Sequence, residues 1–243
     1  MRMFILHTRE KKALIIAFIY IFLMGIGMIT VTKFNLSYQN PNMTNVLVFF
    51  ELIMSIFTII GYKKLNMRFL SNSFKYSNWL IPYIIFEIVI VSFFLVKSDF
   101  SLNFTQVLIV IITTFFVGFS EELMFRGILL HVFLEKRSIR YSIIASAIAF
   151  SLLHSVNVLG GEPFGAMLLQ LVLTFVFGIV FSCLAILIRN IIPLMIYHFI
   201  WDMVIISGSL TNNNVSAIAL FILIFQLIIA IPIVIYTIKK RST

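Results

Sequence analysis

Eight apolar runs divide this 243-residue chain, most of them about as long as a hydrocarbon core is thick. They cover 13–31, 46–62, 79–96, 104–135, 141–156, 166–188, 191–206 and 215–238. In lipid, every backbone N–H and C=O must find its partner inside the protein, so runs of this length are read as helices. A transmembrane barrel would need short segments of alternating apolar and polar residues, and that pattern is absent. With 61% hydrophobic residues, 11% charged residues and a mean hydropathy of +1.11, a soluble domain has too little interior to hold the chain. The expected fold is therefore all-α: one polytopic transmembrane bundle over residues 1–243, in contact with the lipid bilayer.

The charges agree with that count. The net charge is +9, but the Lys and Arg residues sit in short turns between apolar runs, so a nucleic-acid partner is not expected. With eight spans, 15 of the 18 cations fall on the side of the termini, two (Lys33 and Lys97) fall on the other, and Arg126 lies within a run. The positive-inside rule then puts both termini in the cytoplasm. The basic and partly apolar stretch 63–75 is expected to lie in the interface as a short helix. The first run is too long for a signal peptide and has no small-x-small cleavage site after it. Cys183 is the single cysteine, which allows no internal disulfide, and is read as a small buried apolar residue.

Within the fourth run, Ser120-Glu121-Glu122-Leu123-Met124-Phe125-Arg126-Gly127 brings two carboxylates and a guanidinium to membrane depth. Such charges cost roughly 3 kcal/mol each at a helix centre. Helical spacing puts Glu122 and Arg126 on one face at i, i+4, as an ion pair. Glu121 points about 100° away and is left for other work. The run is longer than the hydrocarbon core is thick, and Gly118 and Ser120 are the expected place for a bend. Ser120 is read as a capping or bending residue, not a nucleophile.

Two other runs carry histidine. The fifth ends in Phe150-Ser-Leu-Leu-His154, and the seventh holds His198-Phe-Ile-Trp-Asp202, with His198 and Asp202 at i, i+4. Counted from their neighbouring basic turns at ~1.5 Å per residue, Glu121 and His154 lie about 20 Å deep and His198 and Asp202 about 12–18 Å deep. A lone histidine in a span is often a packing residue; four polar residues at one level from three helices imply one buried site. Glu51 and Glu87 belong to no motif. His131 is read as interfacial and His7 as solvated.

A carboxylate beside a histidine can hold and deprotonate water. A second histidine with a hydrogen-bonding neighbour can donate to a developing oxyanion. Together they suffice to hydrolyse an amide without a covalent intermediate. The pattern H-E-x-x-H of zinc proteases is absent. No cofactor is favoured; if a divalent metal such as zinc were bound, Glu121, His154 and His198 would be its ligands.

The ordered set E-E-x-x-x-R, F-x-x-x-H and H-x-x-x-D/N, here Glu121-Glu122…Arg126, Phe150…His154 and His198…Asp202, resembles the CAAX-protease and bacteriocin-processing family, also called Abi. The likeness covers about 104–207, while the first three runs and the last match only in being apolar. It implies an intramembrane endopeptidase. In that reading Glu121 and His154 activate the water, His198 and Asp202 form the oxyanion site, and Glu122, Arg126 and Phe150 support the geometry. The eukaryotic prenyl-protein member has Asn at the position of Asp202. An Asp either orients His198 or, when protonated, donates beside it.

The bias toward Ile, Phe, Lys and Asn suggests an AT-rich bacterial genome and a bacterial cytoplasmic membrane. The family's bacterial members imply maturation of, or immunity to, secreted peptides such as bacteriocins. The expected partner is then a peptide or membrane-protein substrate. Two rival readings are a non-catalytic immunity or scaffold protein and a proton-coupled transporter.

Overall fold

The computed structural model describes residues 7–67, 74–97, 103–210 and 216–242. Among them helix is the regular secondary structure, and no strand is present. Eight helices stand where the apolar runs predict them: α1 Thr8–Lys33, α2 Thr44–Lys64, α3 Ile81–Lys97, α4 Phe104–Leu134, α5 Ile139–Leu153, α6 Phe164–Ile188, α7 Ile192–Leu210 and α8 Ser216–Ser242. Five of these segments are long and apolar enough to cross a membrane, and Asn78–Ser92 and Ile192–Gly208 are shorter apolar helices. The chain is a multi-pass membrane protein. The basic stretch 63–75 falls partly outside the described residues, as do 98–102 and the polar loop 211–214.

Burial is that of a bundle in lipid. Phe18 and Phe22 on α1 are 69% and 60% exposed, whereas Glu51, Glu122 and Arg126 are fully buried. Apolar side chains face outward because lipid tails are as apolar as the core, so helices associate here through close packing and internal hydrogen bonds. Gly118 shows the first. A Cβ at that position would lie 2.7 Å from Phe199 N and 2.8 Å from Met195 O, so α4 and α7 meet backbone to backbone. Gly178 does the same between α6 and α5, where a Cβ would stand 2.9 Å from Ala147 Cα. Cys183 is buried and free, as expected.

The irregularity in α4 is not where the sequence places it. Residues around Gly118 and Ser120 are α-helical, and the helix changes to a π-helix over Leu123–Leu130 before closing with His131–Leu134. Gly118 serves close packing instead of a bend. A π segment widens the turn and changes the direction of every side chain beyond it, and such segments are common at functional sites. His131 Nδ1 donates to the Arg126 carbonyl at the end of this segment.

A charged clasp ties the start of α1 to the turn after α4. Arg137 donates through Nε and Nη2 to the Glu10 carboxylate at 2.6 and 2.7 Å, and Arg9 pairs with Glu135 at 2.6 Å.

Candidate active site

The site begins with the Glu122–Arg126 pair. Arg126 Nη1 donates to Glu122 Oε1 at 2.9 Å, and both side chains are fully buried. Arg126 Nε and Nη2 have no hydrogen-bond partner among the described residues. Aromatic faces take that place. The guanidinium carbon lies 4.1 Å from the centroid of Phe150, 5.6 Å from Phe181 and 5.7 Å from Phe177. A guanidinium is weakly hydrated and planar, so it stacks on such faces where an ammonium would be poorly held.

Phe150 is the hub of this box. Its ring also meets Phe125 at 5.3 Å, His154 at 5.2 Å and His198 at 6.1 Å between centroids. Ser146, one turn earlier on α5, donates to the Phe125 carbonyl at 2.8 Å and fastens α5 to the π segment.

Glu122 holds a second partner. His198 Nδ1, from α7, donates to the same Oε1 at 3.0 Å. The other ring nitrogen, Nε2, lies 3.4 Å from Asp202 Oδ2 and 3.8 Å from Glu121 Oε2. One imidazole thus stands between three carboxylates, its orientation set by Glu122. His154 opens a 3-10 stretch, His154–Gly160, at the end of α5. Its Nδ1 donates to the Phe150 carbonyl at 3.2 Å. With Nδ1 committed as a donor, Nε2 of a neutral ring is an acceptor.

The four side chains converge on one space. Glu121, His154, His198 and Asp202 all line a cavity of about 360 Å³. Glu121 is 4% exposed, and its Oε2 has no hydrogen-bond partner among the described residues. The apolar share of the wall includes Met24, Met28, Leu47 and Trp201. Among the described residues, no three His, Cys, Asp or Glu side chains gather closely enough to hold a metal ion.

Sequence reasoning did not foresee every wall residue. Tyr38, Asn157 and Gln170 line the cavity as a chain: Asn157 Nδ2 donates to Gln170 Oε1 at 2.9 Å, and Gln170 Nε2 donates to Tyr38 OH at 2.8 Å. A glutamine inside the sixth apolar run was the available signal. Ser120 is neither cap nor bend. Its hydroxyl bonds Tyr20 OH at 2.8 Å and donates to Glu51 Oε2 at 3.4 Å. Glu51 lines the cavity; Glu87 is not among its lining residues, and both Glu87 carboxyl oxygens are buried without a partner among the described residues.

The family model for "Type II CAAX prenyl endopeptidase Rce1-like" matches residues 103–204, a segment that holds Glu121, Glu122, Arg126, Phe150, His154, His198 and Asp202. No curated protein and no solved structure matches the chain. Over residues 103–204, the chain is thus similar to the Rce1-like family of CAAX prenyl endopeptidases.

Proposed function

We propose that this protein is an intramembrane endopeptidase that hydrolyses a peptide bond in a small peptide or membrane-associated protein with water activated by Glu121 and His154. One observation carries this reading. Glu121, His154, His198 and Asp202 come from three helices to the wall of one cavity, and Glu121 Oε2 has no hydrogen-bond partner among the described residues.

The reaction follows from the roles these atoms can take. Glu121 accepts a proton from the water, and His154, with its Nε2 as acceptor, orients it. The water oxygen adds to the scissile carbonyl carbon. The oxyanion that forms accepts from His198 Nε2–H, the ring acting as an imidazolium that is aimed by the Nδ1–H···Glu122 bond and held among three carboxylates. Asp202 steadies the same ring from one turn away. Arg126, stacked in its aromatic box, neutralises Glu122 so that Glu122 can hold His198 at depth. Glu121 then returns its proton to the leaving nitrogen as the C–N bond breaks.

The substrate class proposed is a secreted peptide precursor of the bacteriocin type, and the setting a bacterial cytoplasmic membrane with both termini inside. The Lys and Arg bias of the turns supports that orientation. Comparative peptidomics of host membranes and medium, wild type against Glu121→Gln, tests the proposal. A mature peptide that disappears while its precursor accumulates supports it and names the substrate. Equal protein levels with no changed peptide overturn it in favour of a non-catalytic immunity role.

A further inference from the structure

The cavity has one acidic residue that neither the motifs nor the matched segment includes. Glu51 sits in the middle of α2, outside residues 103–204, and is fully buried. It lines the same wall as Glu121. Its Oε2 accepts from Ser120 Oγ at 3.4 Å, and Ser120 Oγ is bonded to Tyr20 OH at 2.8 Å. Ser120 has one proton, which goes to Glu51, so Tyr20 donates to Ser120. The chain therefore runs Tyr20 to Ser120 to Glu51 and has one free end. That end is Glu51 Oε1, which is buried and has no hydrogen-bond partner among the described residues.

A buried carboxyl oxygen without a partner is costly to keep. Glu121 Oε2 is in the same condition in the same cavity. Ser120 precedes Glu121, so the hydroxyl that anchors Glu51 belongs to the helical turn that carries the catalytic carboxylate. A buried water needs two to four polar partners. Glu51, Glu121 and His154 line one cavity, and the two unpartnered carboxyl oxygens with the histidine would meet that need.

We propose that Glu51 is a second acidic residue of the hydrolytic site, whose Oε1 shares with His154 Nε2, in a three-centre hydrogen bond, the water hydrogen that Glu121 does not take. This rests on the hydrolytic reading above. Glu51 removes no proton; it aims the water and is itself aimed by Ser120 and Tyr20. The bonds made and broken are those already given, and the proton still passes through Glu121 to the leaving nitrogen.

The test uses the full chain in lipid nanodiscs and, as probe, the precursor peptide that accumulates in the Glu121→Gln strain. Glu51→Leu removes the acceptor and fills the space with an apolar side chain. The expected result is a kcat lower by on the order of tenfold to a hundredfold, with KM little changed. Its Tm should be equal to or above that of the wild type, since a buried unpartnered carboxyl is gone. Glu51→Gln keeps an acceptor oxygen at the same reach and recovers part of the lost rate. A purely structural Glu51 predicts the reverse, a lower Tm with an unchanged kcat, and that result overturns the proposal. An experimental density map of the wild type supplies an arm free of turnover. A water within hydrogen-bond distance of both Glu51 Oε1 and Glu121 Oε2 supports the proposal, and no such water overturns it. If the wild type cleaves nothing, the peptidase reading fails and the density arm alone decides the place of Glu51.

Discussion

Glu122 and His198, 76 positions apart in sequence, are joined by a 3.0 Å hydrogen bond from His198 Nδ1 to the carboxylate oxygen that also receives Arg126. That bond makes the arginine part of the site. Arg126 is not among the residues that line the cavity, yet it neutralises the residue that aims the histidine.

Removing Arg126 should therefore unfold the site as well as the pair. Arg126→Ala leaves the buried Glu122 without its guanidinium and with His198 as its remaining partner, and breaking a buried pair costs about 3–5 kcal/mol. Arg126→Lys keeps the charge but loses the planar stack on Phe150, and should fall between the two. Thermal unfolding in detergent micelles gives the order wild type, Lys, Ala. An Ala variant as stable as the wild type would falsify the structural role of the pair.

Glu121 should behave oppositely. Its Oε2 has no hydrogen-bond partner among the described residues, so Glu121→Gln removes the base without breaking such a bond at that atom. Turnover is expected to fall by roughly 10²–10⁴-fold with Tm unchanged. A variant that retains wild-type kcat removes Glu121 from the role of base.

Gly118 tests the crossing that brings α7 to the site. The added methyl of Gly118→Ala would stand 2.7 Å from Phe199 N, next to His198. The backbones must move apart, at about 1–3 kcal/mol. Cross-linking of cysteine pairs placed on α4 and α7 should report the wider spacing, and activity should fall with it. Unchanged cross-linking and unchanged turnover would show that the crossing tolerates the methyl.

The clasp at the start of α1 sets a pH dependence. Glu10 lies ahead of the apolar run that begins at Ala13, and the hydrogen bond from Arg137 holds its carboxyl below the usual carboxylate range. A depressed folded-state pKa contributes stability that is fully present above the unfolded value, about 4.3, and is lost as pH falls through the folded one. Wild type should thus exceed Glu10→Gln in Tm at pH 7, and the gap should close in acid. A gap that is constant from pH 7 to pH 3 would remove Glu10 as its source.

What the sequence by itself determined is what depends on distance along one helix. Apolar length set the eight helices, because lipid admits no other way to satisfy the backbone. Helical period set the i, i+4 pairs Glu122–Arg126 and His198–Asp202, found at 2.9 and 3.4 Å. It also set the separation of Glu121 from its neighbour, which leaves one glutamate for the pair and one for the cavity.

The rest was decided by how the helices are rotated and crossed, which a nearly uniform apolar surface does not encode. Phe177 and Phe181 read as ordinary apolar residues of the sixth run, and only the α5–α6 packing makes them walls around Arg126. The π segment at Leu123–Leu130 has no proline or small-residue pair to announce it; Gly118 and Ser120, where the sequence predicts the bend, are a contact surface and a hydrogen-bond relay. Glu51 belongs to no motif because its meaning lies in Ser120, which reaches it from α4 and is itself bonded by Tyr20 of α1. Hydrogen bonds between helices depend on axial rotation and close approach, and those are properties of the packed bundle alone.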